Sequence, residues 1–322
     1  MSETSSSTGT ASAARTAALA PVTTGPPSTG GTTEREFTVK ERSQLSMVLM
    51  RFLRHRLAIG SLIFLGLLIL TVYLAPHIFG LSYTALSNDA SFAPSFRYPM
   101  GTDELGHNNL ALVLRGAHQS LNVSFVVALM SSGFGAPYGA IAAFYGGKVD
   151  AIMMRIVDVI LVLPFLVVVG ALAEHFQGTW YTVALLLGAV GWVINARVTR
   201  GVVLSVRNQE FVEAARALGA SDVRIIFRHL IPNVTGTLIV QATLDIATAI
   251  LAEAGLSFLG LGIHSPDTSL GVLAQQSQNA IQTRPWLFYF PCAMILVICL
   301  SINFIGDGLR DALDPRQTRQ RR

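Results

Sequence analysis

Three carboxylates lie inside long apolar segments, where an acidic side chain needs a specific reason to be present. Asp158 falls in one such segment, and Asp245 and Glu253 share another. A charged side chain at the centre of a membrane-spanning helix costs about 2.5–3.5 kcal/mol, so these groups should face protein or a water-filled path. Asp245 and Glu253 are eight residues apart and therefore lie on roughly one helix face, about two turns apart. The spacing predicts either the lining of a solute or proton path, or hydrogen bonds to a neighbouring helix.

The patterns that mark common catalytic sites are absent from the sequence. The nearest approach to a phosphate-binding G-x-x-x-x-G-K-[ST] loop is GGKV at 146–149, which has valine after the lysine and Ala142 in place of the earlier glycine. No H-E-x-x-H zinc motif and no G-x-S-x-G nucleophile elbow occurs. We therefore predict a non-catalytic chain with no metal site and no cofactor bound by the chain itself.

The elements that position these residues are predicted from hydropathy. The chain is 51% hydrophobic and 13% charged, whereas soluble domains carry about a quarter charged residues. A hydrocarbon core of about 30 Å requires about 20 helical residues. Segments of suitable length and composition lie at about 57–75, 121–145, 151–173, 179–196, 235–259 and 286–306. The predicted fold class is an all-α membrane protein, a bundle of six transmembrane helices.

The basic residues indicate the orientation of this bundle. Six spans place both termini on one side, and twenty of the 23 Lys and Arg residues fall on that side, leaving Arg97, Arg115 and Arg284 on the other. The positive-inside rule then predicts a multi-pass protein of the plasma or inner membrane with both termini in the cytoplasm. Because topology accounts for the basic charge, the charge gives no argument for nucleic acid as a partner.

The predicted domain organisation follows from the spans. Residues 1–45 form a disordered cytoplasmic tail, since their Ser, Thr, Ala, Gly and Pro residues show no hydrophobic periodicity. Residues 46–310 form the six-span domain, with an external segment at 76–120 and a cytoplasmic loop at 197–233. Residues 311–322 form a basic cytoplasmic tail.

The loop at 197–233 contains an unusually charged segment, 208–233, which predicts two short helices. Asn208 is a suitable N-cap for the first helix, and Gly219 fits the left-handed position just past its end. Ser221 can cap the second helix, and Pro232 is expected to stop it.

The first of these two helices has a narrow apolar stripe. Its members recur at the i, i+3, i+4 and i+7 positions of one face: Phe211, Ala214, Ala215 and Leu218. Such a stripe allows the helix to enter a groove on a partner protein or to lie on a lipid surface. The acidic residues Glu210, Glu213 and Asp222 favour the protein partner.

Several motifs in the sequence resemble those of one transporter family. Glu213-Ala214-Ala215, followed by Gly219 and by Pro232 after His229-Leu230-Ile231, resembles the EAA loop of ABC-importer membrane subunits. LAEAGLSFLGLG at 251–262, SINFIGDGLRDALDP at 301–315 and GTDELG at 101–106 resemble the C-type permease of dipeptide and oligopeptide importers. The resemblance covers roughly residues 50–316. It departs from the family after Gly106, where His107 and Asn108 replace the usual Arg-Asp, and at Ala111, Leu112, Arg115 and His118.

The resemblance implies a type I ABC-importer permease whose EAA-like loop acts as a coupling helix in a groove of a cytoplasmic ATPase subunit. ATP and Mg²⁺ are then bound by the partner ATPase subunits. The implied partners are a homologous second permease, the ATPase subunits, an extracytoplasmic peptide-binding protein and the lipid bilayer. The coupling residues are expected to be Glu210, Phe211, Glu213, Ala214, Ala215, Leu218, Gly219, Asp222, Arg224, His229 and Pro232.

The intramembrane carboxylates keep two interpretations under this resemblance. Asp245, Glu253 and Asp158 are possible contacts along a translocation path, for example for a peptide amine. A structural role is favoured for Glu253, whereas both roles stay open for Asp245. Two alternative functions also remain: a proton-coupled secondary transporter that uses Asp245 or Glu253, and an ABC permease for a non-peptide solute such as nickel or glutathione.

Overall fold

The secondary structure is mainly helical in the part of the chain that the computed structural model describes, residues 44–176 and 178–313. The helices are α1 (Gln44–Phe52), α2 (Arg56–Ile78), α3 (Asn109–Tyr145), α4 (Gly147–Val162), α5 (Phe165–His175), α6 (Trp180–Val206), α7 (Glu210–Ala217), α8 (Asp222–Arg224), a π-helical segment (Ile225–Leu230), α9 (Ile231–Phe258), α10 (Leu270–Ser277), a 3₁₀ turn (Gln278–Ala280) and α11 (Pro285–Leu313). Within these residues, β-type pairing is limited to two isolated β-bridges, Leu86 with His107 and Thr102 with Asn108.

The long apolar helices confirm the predicted helical membrane fold. Among residues 44–176 and 178–313, five helices are long and apolar enough to cross a bilayer: α2, α3, α6, the continuous stretch Asp222–Phe258, and α11. A sixth crossing requires α4 and α5 to be counted together, because they meet at a bend of 77°. The third predicted span, 151–173, is therefore bent in its middle instead of forming one straight helix.

The break in the third span has a local cause in Pro164. The residue before a proline is sterically disfavoured in the α region, and Leu163 accordingly has an extended backbone with φ −68° and ψ 137°. Helix α5 starts directly after the proline, at Phe165. Pro76 and Pro291, by contrast, lie inside α2 and α11. Helix α2 therefore continues past the predicted end of the first span at residue 75.

Two glycines of α3 allow the close packing of α3 against α6. A Cβ atom at Gly135 would overlap the side chain of Asn195, and one at Gly139 would overlap the backbone of Ala196 and Arg200. Small residues commonly permit such close approach between transmembrane helices. Because these contacts hold α3 and α6 side by side, both helices can contribute to the same cavities and charged clusters.

The buried side chains form clusters at different levels of the bundle. One cluster joins α2, α3, α9, α10 and α11 around Ile250, Leu270 and Ile298. Another joins α3, α5, α6 and α9 around Leu187 and Leu256. A third joins α3, α6, α7 and the π-helical segment. The end of the bundle formed by this third cluster is called the α7 end.

The helical part extends slightly beyond the boundaries expected at 46 and 310, since α1 begins at Gln44 and α11 ends at Leu313. The other residues of the two predicted tails, 1–43 and 314–322, lie outside the described residues.

Candidate functional site

The segment between α6 and α9 begins later than expected. Helix α6 continues to Val206, ten residues past the predicted end of its span at 196. Gln209, not Asn208, occupies the N-cap of α7, and its side chain makes no capping hydrogen bond. Gly219 has φ +79° and therefore occupies the left-handed position predicted for it, where a residue with a Cβ atom would be strained.

The second predicted helix does not stop at Pro232. Asp222–Arg224 leads into the π-helical segment Ile225–Leu230 and then directly into α9. In the widened turn, the backbone N–H of Ile231 donates to the carbonyl of Ile226, five residues earlier. Pro232 is at the start of α9, directly after the π-helical segment. The expectation of a helix end at Pro232 was wrong: the segment is continuous with a long apolar helix, Asp222–Phe258.

The inner face of α7 anchors it to the bundle. Val212 is completely buried, and Ala215 is largely buried. Both pack in the third cluster with Ile225, Ile226 and Leu230. Val212 is not a member of the predicted stripe, and the sequence analysis did not select it. Through these contacts α7 packs directly on the π-helical segment, which continues into α9.

The outer face of this segment carries exposed apolar side chains. Phe211 is 36% exposed, Leu218 89%, Val223 63% and Phe227 49%; these residues together are called the α7 patch. The predicted stripe is thus split, with Ala215 turned inward and the other members on the outside. The remaining predicted coupling residues Glu210, Glu213, Ala214, Gly219, Asp222, Arg224 and Pro232 are exposed, and His229 is half-buried.

Arginine side chains connect the α7 end to α3 and α4. Arg200 donates two hydrogen bonds to Asp150, at 2.5 and 2.6 Å. Arg207 donates to the carbonyl oxygen of Ala143 at 2.6 Å. Arg216 of α7 lies over the ring of Phe144, 5.7 Å from its centroid. Sequence reasoning missed these contacts because the partners are separated by 50 or more positions and no local pattern marks them.

Glu253 is completely buried and bound by hydroxyl groups. Ser120 of α3 donates to it at 2.8 Å, and Ser257, one turn further along α9, donates at 2.7 Å. Glu253 therefore joins α3 to α9, which is the geometry expected of the structural alternative.

Asp245 has a different environment. Asn195 of α6 donates to one of its carboxylate oxygens at 2.6 Å, and Gln241 donates to the other at 3.1 Å. The carboxylate borders a partly open cavity of about 250 Å³ that is lined by α3, the break between α4 and α5, α6 and α9.

Asp158 does not border this cavity. It is 47% exposed and forms an ion pair with Arg197 of α6 at 2.5 Å. The three carboxylates that the sequence grouped together therefore occupy three separate sites.

The opposite end of the bundle is held by polar contacts that involve the positions departing from the family pattern. Asn108 caps α3 by accepting a hydrogen bond from the backbone N–H of Leu110 at 3.0 Å. His107 contacts Asp103 at 2.7 Å. Arg115 forms two hydrogen bonds with Asp267, at 2.9 and 3.0 Å. These contacts fix the segment before α10 and the start of α3.

Among residues 44–176 and 178–313, no group of three or more His, Cys, Asp or Glu side chains is arranged to hold a metal ion. The site consists of a patch for contact with another molecule, a buried hydroxyl-bound carboxylate and a carboxylate beside a cavity. This arrangement can transmit movement and bind a solute.

Comparison with known proteins gives a consistent result. Residues 135–319 match the family described as binding-protein-dependent transport system inner membrane component, and residues 43–99 match the N-terminal transmembrane domain of oligopeptide transport permease C. The chain is 41% identical over 283 residues to the oligopeptide transport system permease protein OppC of Mycobacterium bovis, covering 87% of this chain and 97% of the relative.

Two further relatives are also named as peptide transport permeases. The chain is 39% identical to OppC of Escherichia coli, covering 86% of this chain and 93% of that protein. It is also 39% identical to the dipeptide transport system permease protein DppC of Bacillus subtilis, covering 84% of this chain and 85% of that protein.

A solved structure supports the fold. The inward-facing MetNI methionine ABC transporter contains a chain that is similar with a TM-score of 0.53 and 21% identity, covering 64% of this chain and 98% of that chain. The shared fold confirms the ABC-importer permease architecture that the motifs implied. Since the family match extends over more than half of the chain, this chain belongs to the family of inner membrane components of binding-protein-dependent transport systems.

Proposed function

We propose that this chain is the transmembrane permease subunit of an ATP-driven importer of dipeptides or oligopeptides. It forms one half of the translocation path and is itself non-catalytic. Its relatives are named as oligopeptide and dipeptide transport permeases, which supports peptides over nickel or glutathione as the solute class.

The observation that carries the proposal is the α7 patch, together with the packing of α7 against the bundle. Its four apolar side chains, defined above, are exposed at the end of the bundle. An exposed apolar patch rimmed by charged residues marks a site of protein contact, and Glu210, Glu213, Asp222 and Arg224 are exposed residues of the same segment. Beneath it, Val212 packs on the π-helical segment that continues into α9. The segment is therefore suited to couple a partner ATPase to the bundle.

The partners and the orientation follow from the same proposal. The α7 end faces the cytoplasm, together with both termini, because most of the basic residues lie on that side. Partner ATPase subunits bind ATP and Mg²⁺ and dock on the α7 patch. A homologous second permease completes the path, and an extracytoplasmic binding protein delivers peptide to the opposite end. The chain lies in the plasma or inner membrane.

A proton-coupled secondary transporter would leave the α7 patch without a role. Of the two carboxylates that could carry the proton, Glu253 is completely buried among serine hydroxyls, so that this alternative would depend on Asp245. The family of binding-protein-dependent systems likewise favours ATP as the energy source.

The proposal predicts which energy source drives uptake. The chain, purified in mild detergent with its co-purifying subunits, is reconstituted into proteoliposomes with its binding protein and a radiolabelled tripeptide. We expect uptake with ATP, no uptake with a non-hydrolysable ATP analogue, and no uptake with a proton gradient alone. Unlabelled oligopeptide should compete for uptake, whereas glutathione and nickel should not. Uptake that persists in ATP-free vesicles with a proton gradient would contradict the proposal.

A further inference from the structure

The cavity beside Asp245 is almost entirely apolar. Its walls include Val127 of α3, Leu163 and Phe165 on either side of the α4–α5 break, and Leu187 of α6. The hydroxyls of Ser131 and Thr248 add polar atoms, and Asp245 is the sole charged group in the lining formed by the described residues. At about 30 Å³ per water, the volume corresponds to about eight water molecules, enough for the end of a short peptide.

The Asp245 carboxylate is oriented by neighbours that carry no charge. Asn195 and Gln241 are neutral amides, and each donates to a different carboxylate oxygen. A carboxylate has about four acceptor positions, so about two remain for a further donor. Among the described residues, no cationic side chain forms an ion pair with Asp245, whereas Asp158 has Arg197 as a partner.

A protonated primary amine complements this arrangement. It supplies up to three N–H donors and a positive charge, and it is compact enough to reach a carboxylate at the edge of a cavity. The apolar walls can accept the aliphatic part of the molecule that carries the amine. Water alone could fill the free acceptor positions but would leave the charge of Asp245 unpaired.

We propose that Asp245 and its cavity form a transient binding site for the amino-terminal ammonium group of the imported peptide. This inference rests on the proposed peptide import and extends it by assigning a contact inside the bundle. The contact should be weak enough for release, since a solute in a path must leave the site as well as enter it.

The test compares a free tripeptide with its N-acetylated form, which lacks the ammonium group. Uptake is measured with the complete reconstituted transporter, at concentrations of each peptide that saturate the binding protein. For Asp245→Asn, we expect the maximal uptake rate of the free peptide to fall about tenfold, as expected for loss of a charge-assisted contact. The uptake rate of the acetylated peptide should change by less than about twofold.

Asp158→Asn is the matched control, because it makes the same chemical change at an intramembrane carboxylate that does not border the cavity. It should affect both peptides by less than about twofold. An equal loss for both peptides with Asp245→Asn, or no loss for either, would overturn the inference. ATP-driven uptake of both peptides by the unchanged transporter would persist in these cases if the proposed function is right, so the two ideas fail separately.

A labelling experiment decides the question if Asp245→Asn does not assemble or if the acetylated peptide is not transported. Thr248→Cys is introduced into a chain whose Cys292 and Cys299 are replaced by alanine, with Asp245 intact. We expect free tripeptide to slow the reaction of this thiol with a cationic methanethiosulfonate, and acetylated tripeptide to have no effect. Protection by both peptides, or by neither, would contradict an ammonium site.

Discussion

Leu218→Asp is expected to abolish most ATP-driven uptake while leaving the bundle intact. Leu218 is 89% exposed, so the change removes almost no packing within the chain. If α7 docks in a groove of the ATPase, an aspartate at the centre of the contact must be desolvated there. Loss of a central contact residue costs about 2–4 kcal/mol of binding free energy, which corresponds to a loss of about thirtyfold or more in uptake.

The measurement is peptide uptake in proteoliposomes, together with the thermal unfolding midpoint of the purified chain in detergent. Ser205→Asp is the control, because it places the same charge on an exposed position at the α7 end but outside the α7 patch. We expect the control to retain at least about half of the uptake. Normal uptake by Leu218→Asp would show that the α7 patch is not the coupling surface.

Glu253→Ala is expected to destabilise the chain itself. The change removes the common acceptor of Ser120 and Ser257 and leaves a void between α3 and α9. Relief of the buried charge opposes this loss, because a buried carboxylate pays a desolvation cost. Unsatisfied hydroxyls and the void dominate, so we expect the free energy of unfolding to fall by about 2–4 kcal/mol. The unfolding midpoint and the yield of monodisperse protein measure this effect.

Two further variants test the cause. Glu253→Gln fills the same space and keeps one acceptor oxygen, so its loss should be clearly smaller than that of Glu253→Ala. Asp158→Asn changes another intramembrane carboxylate, but its ion pair with Arg197 is half exposed and such pairs contribute about 0–1 kcal/mol. If Glu253→Ala unfolds at the same temperature as the unchanged chain, Glu253 does not hold these helices together.

Hydropathy was sufficient to locate all the long helices, because burial in lipid requires long apolar runs. It did not predict the break at Pro164, since the flanking residues are as apolar as the rest of the span. It also did not predict that α3 begins at Asn109, well before the apolar run at about 121, because tertiary contacts with α10 stabilise the extra turns.

The candidate site was predicted in part. A positive φ just after α7 could be predicted at Gly219, because this local backbone geometry follows from the residue type. The side of α7 that faces the bundle could not be inferred, since a helical period of 3.6 residues fits both the stripe through Phe211 and the face through Val212. The π-helical turn before Pro232 depends on the packing of Ile225 and Ile226 in the bundle, which no local pattern records.

The sequence alone also could not separate the roles of the two carboxylates in α9. Asp245 and Glu253 share roughly one face of α9, and the sequence gives them similar surroundings. Their environments differ because Asn195 of α6 reaches Asp245, whereas Ser120 of α3 reaches Glu253. Contacts between distant segments of the chain, not the spacing along the helix, separate a carboxylate beside a cavity from one that holds helices together.

Photo-cross-linking from position 218 tests the central claim most directly. Leu218 is replaced by benzoylphenylalanine in the intact transporter, which is irradiated in membranes and analysed by mass spectrometry. We predict an adduct with a nucleotide-binding subunit, with a yield that changes when ATP is added. A transporter that still imports peptide, yet whose position 218 forms adducts with lipid and with no nucleotide-binding subunit, would contradict the account.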